Sequence, residues 1–276
     1  MEVVKGIGTA MARIARDSAL IVNSPAIALT LLGLMTPGQA RVIPPSTLPG
    51  LGPQTAREDV DVNQPPWRGV VRVQTEIGVH CTGALVGVRL VLTAAHCLFG
   101  HGTGQLVRPS SIHVLTGYAH GDYAGHARAV SLEIGAGFAV GPDGQGTSSA
   151  PPNADWAILT LDTSLGTDDR ILPVIRDIPP AGTPVMLGGY EQDRAEVMIA
   201  DVACSLIDPV RDGGVLMLRH SCAGTRGVSG APLLARAPGR GWGVVGIASV
   251  ARLGMSGGLA VPAAAIGSRR ASSPVK

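Results

Sequence analysis

Short apolar runs, each closed off by glycine, proline, asparagine or aspartate, constrain this chain more than any other feature of it. "RGVVRVQT", "HCTGALVG", "RLVLTAA", "SSIHVLTG", "ARAVSLEIG" and "ADWAILTLD" follow one another between Arg68 and Asp162. A second set, "VMLGGY", "EVMIADVAC", "GVLMLRHSC", "GAPLLA", "GWGVVGIASVA" and "GGLAVP", follows between Val185 and Pro262. Runs of this length, rich in β-branched residues and bounded by turn formers, read as strands. Long surface helices need many Glu, Lys and Gln, and this chain has 38 Gly, 21 Pro and only 15% charged residues. Two successive sets of about six strands imply an all-β protein built as two small barrels or sandwiches packed together. Only "VPAAAIGSRR" at the end reads as a helix, and a short one. Aromatic residues make up 3% of the chain, so Val, Leu, Ile and Ala must fill the core.

The ends of the chain have a different texture. Lys5, Arg13 and Arg16 precede an unbroken apolar run over residues 26–35, with Gly38 and Ala40 after it. That run fits the hydrophobic region of a signal peptide and is too short to span a bilayer, so residues 1–40 are expected to direct export, with cleavage after Ala40. The competing reading is an uncleaved membrane anchor over residues 18–35, and Met11 is an alternative start. Membrane contact is expected only if that segment stays attached. Residues 41–66 form a proline-rich leader, and a second proline-rich stretch over 170–184 divides the remainder into 67–172 and 173–276. In an oxidising compartment, Cys81, Cys97, Cys204 and Cys222 suggest two disulfides, with three connectivities open. Neighbouring pairs would close loops of about 15–20 residues and stabilise by roughly 3 kcal/mol each. No pair has the C-x-x-C spacing of a zinc site.

"TRGVSGAPLL", residues 225–234, sets Ser229 between glycines in a stretch with little charge. A serine in a glycine-rich turn is ordinary unless a base and an orienting acid accompany it. "VLTAAHC" ends an apolar strand at His96, and "NADWAILTL" puts Asp155 just before another. Together the three segments resemble the chymotrypsin-like serine peptidases in their "TAAHC", "N-x-D-x-A-x-L" and "G-x-S-G-x-P" signatures. The order His, Asp, Ser along the chain separates them from the α/β-hydrolase and subtilisin orders. The resemblance covers about Trp67 to Ile266 and is that of the bacterial secreted type.

That resemblance implies two six-stranded antiparallel β-barrels with a cleft between them, and a Cys81–Cys97 disulfide beside the base. It implies Ser229 as nucleophile, His96 as general base and acid, and Asp155 behind His96. The N–H groups of Gly227 and Ser229 would form the oxyanion hole. Ser249 would hydrogen-bond near Asp155, and Val250 and Ala251 would pair with a peptide substrate. Ala223, Ala251 and Gly258 would line the specificity pocket, where the missing carboxylate disfavours trypsin-like preference and favours a small or medium apolar side chain. Arg226, near the cleft mouth, could instead attract an acidic one. Many animal relatives have an aspartate before the nucleophile to receive a freed N-terminal ammonium. Val228 stands there, so the active loop must be held another way, and Arg57 is a candidate processing site.

The expected function is an exported serine endopeptidase acting on peptide or protein substrates as a monomer. The rivals are an inactive peptidase-fold binding module and an esterase with the same machinery. No cofactor is expected. "HGDYAGH" offers His120, Asp122 and His126, but calcium prefers an oxygen cage that this loop lacks. His80, His101, His113 and His220 are read as surface or structural residues. A formal net charge of +2, with lysine only at Lys5 and Lys276, argues against nucleic acid as a partner.

Overall fold

The computed structural model describes residues 47–53, 56–141, 151–237, 239 and 241–267. The expected signal peptide lies outside these. Strands β1 (Arg57–Asp59), β2 (Val70–Thr75), β3 (His80–Gly87), β4 (Leu90–Thr93), β5 (Ile112–Thr116), β6 (Gly125–Ile134) and β7 (Ala157–Leu161) come first. They are followed by β8 (Pro184–Gly189), β9 (Ile199–Ser205), β10 (Val210–Asp212), β11 (Val215–His220), β12 (Pro232–Ala237), β13 (Gly241–Ala251) and β14 (Gly258–Pro262). All ladders are antiparallel. β2-β3-β4-β7-β6-β5 close into a barrel, and β1-β9-β8-β12-β13-β14-β11-β10 form a second sheet. All twelve runs picked out above are strands. The two strands that composition did not show, β1 and β10, are three-residue edges rich in charge, "RED" and "VRD".

The second sheet curls until the ends of β9 and β11 meet. Beyond β9, Leu206 bridges His220 at the end of β11, Ile207 N–H donates to Arg219 O and Ser221 N–H donates to Ser205 O. The Cys204–Cys222 disulfide spans the same junction, while Cys81–Cys97 pins the first barrel. The C-terminal helical stretch is a single 3-10 turn over Ala263–Ala265, and residues 268–276 lie outside the described ones.

Side-chain alternation explains how apolar runs serve on both faces. In β2, Val71 and Val73 point into the first barrel, while Val70 joins a larger cluster between the two sheets. In β7, Ala157, Leu159 and Leu161 face the barrel interior, and Ile158, with Trp156 just before the strand, faces the shared cluster. On the other side, Val185 and Leu187 fill the second sheet's own core, and Met186 meets the shared cluster. Each buried Val, Leu, Ile or Met side chain stabilises by roughly 1.5–3 kcal/mol, so strands covered on both faces hold the sheets together.

His220 is the buried polar residue of this core with the least support. It is 4% exposed, and its Nδ1 has no hydrogen-bond partner among the described residues. Burial holds its pKa down to about 4. The unfolded chain takes up a proton below about pH 6.5 that the folded chain refuses until about pH 4, so stability is lost as pH falls through that window. The difference amounts to about 3 kcal/mol. Urea unfolding of wild type and His220→Met at pH 7 and pH 4 should show the wild type losing about that much more than the variant. Equal losses would show that His220 does not titrate this way.

Candidate active site

β4 delivers His96 to the seam. Thr93, Ala94 and Ala95 are buried, and a 3-10 turn over Ala95–Leu98 follows, fixed by the Cys97 disulfide. Asp155 caps a second 3-10 turn, Pro152–Ala154, just before β7, and is 5% exposed. Since β7 pairs with β4, Ala157 lies opposite Thr93 and the two turns emerge side by side.

The Asp155 carboxylate gathers three donors. His96 N–H donates to Oδ1 at 2.9 Å, His96 Nδ1 lies 2.7 Å from Oδ2, and the Ser249 hydroxyl donates to Oδ2 at 2.5 Å. Ser249 reaches it because β13 has a register shift against β14 between Ala248 and Val250, which turns this residue out of the normal alternation. Burial alone would raise the carboxyl, but the facing His96 and the hydrogen bonds hold it below the ordinary range. Burial alone would likewise lower His96, but the carboxylate's charge and hydrogen bond raise it above the ordinary histidine value. The His96 side chain is still 29% exposed, so a reactant can reach it.

Ser229 is half-buried in a turn from the second sheet. Its carbonyl accepts from Thr82 N–H of β3 at 3.0 Å and lies 3.8 Å from the sulfur of Cys97, the residue after His96. No hydrogen bond joins its hydroxyl to His96 among the described residues. Gly227 and Gly230 flank it with φ of +96° and +78°. A Cβ on Gly227 would stand 2.1 Å from Tyr190 O, and one on Gly230 2.2 Å from Thr93 Oγ1, so glycine is required at both. Gly230 N–H donates to Ala248 O, whereas the N–H groups of Gly227 and Ser229 donate to nothing among the described residues.

Thr82 and Glu191, which the sequence reading passed over, hold this turn. Thr82 is fully buried; its hydroxyl donates to Gly227 O at 2.8 Å and accepts from Tyr190 N–H at 3.0 Å. Glu191 Oε2 accepts from Thr225 N–H at 2.6 Å and from Arg57 at 2.6 Å, while Arg57 also pairs with Asp193. Burial pushes Glu191 up to about 7, against the opposing pull of Arg57 and the Thr225 hydrogen bond. Val228 packs among Leu187, Ala231 and Leu233, so the position that resembles the ammonium receptor is apolar and the bracing comes from Glu191. Arg57 has a 9% exposed side chain engaged in ion pairs, which removes it as an accessible processing site in the folded chain. Only its fixed place beside Glu191 in three dimensions reveals this role, since nothing in "TAREDV" signals a buried partner.

Ala223 is buried, Val250 is exposed, and Ala251 ends β13 opposite Gly258 at the start of β14. Arg226 is exposed. Of the loop offered for a metal, His126 instead stacks on His113, with His113 Nδ1 2.8 Å from His126 Nε2. Cys81, His96 and Cys97 lie close enough to ligate an ion, but both sulfurs are spent in the disulfide.

A closed barrel and a second sheet sharing one core, with histidine, aspartate and serine brought to the seam between them, define a chymotrypsin-like serine peptidase fold. The chain belongs to the trypsin family, whose family model matches residues 55–270. Its fold is similar to that of a Glu endopeptidase solved with MPD, at 18% identity and a TM-score of 0.62, covering 77% of this chain and 94% of that one. It is also similar to human heparin binding protein, at 16% identity and a TM-score of 0.56, covering 77% and 92%. No curated protein matches this chain.

Replacing Arg57 by methionine strands the Glu191 carboxylate in a site with 0% side-chain exposure. Removing one partner of a buried pair should cost about 3 kcal/mol in urea unfolding at pH 8. A loss below about 0.5 kcal/mol, the level of a surface pair, would show that the bracing is not energetic.

Proposed function

We propose that this protein is an exported serine endopeptidase that hydrolyses peptide bonds through a covalent acyl-enzyme. The observation that carries the reading is the Asp155 carboxylate held at once by His96 Nδ1, His96 N–H and the Ser249 hydroxyl. A merely structural histidine does not need a buried carboxylate fixing its tautomer from behind. Membership of the trypsin family supports the same chemistry.

In the proposed reaction Ser229 Oγ attacks the carbonyl carbon of the scissile amide while His96 Nε2 takes the hydroxyl proton. The carbonyl π electrons move onto oxygen, and the N–H groups of Gly227 and Ser229 receive that charge; each such donor contributes roughly 3 kcal/mol in the transition state. Asp155 stabilises the imidazolium, which then gives its proton to the leaving amine. Water repeats the sequence on the ester, freeing Ser229. A free Ser229 hydroxyl not yet bonded to His96 suits a substrate-free site, where such contacts are loose and tighten on binding.

A neighbour named for binding heparin shows that the fold alone does not decide between catalysis and binding. The triad candidates and both oxyanion glycines favour catalysis here. The same groups would also hydrolyse esters, and relative rates on a peptide and an activated ester separate the two uses. Two disulfides suit an oxidising compartment and support export, and no helix among the described residues is long and apolar enough to cross a membrane.

Ser229→Ala should lower peptide hydrolysis by roughly 10⁶-fold and abolish labelling by a fluorophosphonate; labelling at wild-type level would refute the assignment. Because His96 must be neutral to act as base and Asp155 raises its pKa, kcat/KM should climb with pH through a value above 6.5. An Asp155→Asn variant should lose most of its activity, and any residual profile should shift to lower pH.

A further inference from the structure

The leader is not idle chain. Residues 47–53, "TLPGLGP", lie between the loop around Ala223–Gly224 that follows β11 and the stretch over Ala251–Ser256 that joins β13 to β14. Gly50 N–H donates to Arg252 O at 2.5 Å, and Gly50 O accepts from Gly224 N–H at 3.3 Å. Gly52 N–H donates to the Ser256 hydroxyl at 3.1 Å. Leu51 is 0% exposed and forms, with Leu48 and Ala223, an apolar cluster separate from the three cores of the body. At Gly50, where φ is +79°, a Cβ would stand 1.9 Å from Gly224 O and 3.0 Å from Ala251 Cβ. The backbone therefore passes directly between those two walls.

Ala223 and Ala251 are residues that the resemblance assigns to the pocket for the substrate side chain ahead of the scissile bond. We infer that the strap Thr47–Pro53 is an intramolecular occupant of that pocket. The pocket accordingly takes a leucine-sized aliphatic side chain, and the full-length chain is restrained until the strap leaves. This inference rests on the peptidase reading above and deepens it. Three features make the strap removable. Its leucine cluster contributes to none of the three larger cores. The hydrogen bonds at Gly50 and Gly52 are exchangeable with water. And Arg57, just beyond it, is anchored independently through Glu191 and Asp193, so release of the strap leaves the bracing of the 225–230 turn in place. The surroundings suit an aliphatic guest: Leu48 and Leu51 pack on Ala223, and the nearby buried carboxylate of Asp201 is engaged by the Ala223 and Ala203 N–H groups.

The test uses the full-length chain with two separate changes, Gly50→Val, which cannot fit between Gly224 and Ala251, and Leu51→Asp, whose carboxylate cannot stay buried charged. Peptide anilides with Leu, Glu or Arg before the scissile bond are the substrates, and fluorophosphonate labelling of Ser229 and the melting temperature are followed in parallel. Both variants should keep the wild-type melting temperature within a few degrees and lose exchange protection at Gly224 N–H. They should hydrolyse the Leu substrate about 10- to 100-fold faster than wild type, the gain set by one unburied leucine. Added TLPGLGP peptide should inhibit both variants competitively. Labelled variants with unchanged or lower activity would overturn the inference and make the strap a permanent wall; a preference for Glu or Arg would overturn the aliphatic assignment. Failure of Ser229 to label in any form would instead bring down the peptidase reading itself.

Discussion

A single buried hydroxyl joins the two halves of this protein where they must meet most accurately. Thr82, on the first barrel, donates to Gly227 O and accepts from Tyr190 N–H, while its own N–H reaches Ser229 O and its carbonyl accepts from Thr93 Oγ1. Four hydrogen bonds from one residue thus fix the serine turn against the strand that leads to His96. Polar groups this deep are costly when unpaired, so the site has one low-energy arrangement and few near misses. The same contact forces Gly227 and Gly230 into conformations and clearances that only glycine tolerates.

Charge is distributed around that seam with distinct effects. Asp155 is buried yet ionised because three donors converge on it, and its field in turn keeps His96 more basic than an isolated imidazole. Glu191 is buried with weaker compensation, so its carboxyl is pushed up even with Arg57 beside it. Trypsin-family relatives with an aspartate before the nucleophile can draw on a freed ammonium. This chain has Val228 in the core and draws on a guanidinium from its own leader strand. The N-terminal segment therefore has two parts: β1, tied into the fold by Arg57, and the strap before it, held by its leucines and by hydrogen bonds at Gly50 and Gly52.

Much of the fold was legible in the sequence, and the reason is local. A run such as "GVLMLRH" between glycines has few options besides a strand, and alternation of Val70 with Val71 follows from the pleat. β1 and β10 were not legible because three polar residues carry no period; only their partners β9 and β11 make them strands. The three candidate reactive residues stood out because each occupies a motif, whereas Thr82 and Glu191 occupy none, and their importance comes from partners far along the chain, Gly227 for Thr82 and Arg57 for Glu191. Arg57 looked like an exposed cleavage point for the same reason, as its ion pairs are contacts across the fold.

The sequence by itself determined the all-β class, the two strand sets, and the residue types able to perform acyl transfer, since these depend on short-range pattern and on side-chain chemistry. Only the tertiary structure decided that the second sheet closes at Leu206 and His220, that a register shift in β13 is what turns Ser249 toward Asp155, and that leucines of the leader lie against Ala223. Those outcomes depend on which surfaces meet when both faces of the strands are covered, a long-range competition for burial and hydrogen bonding that no window of the chain contains.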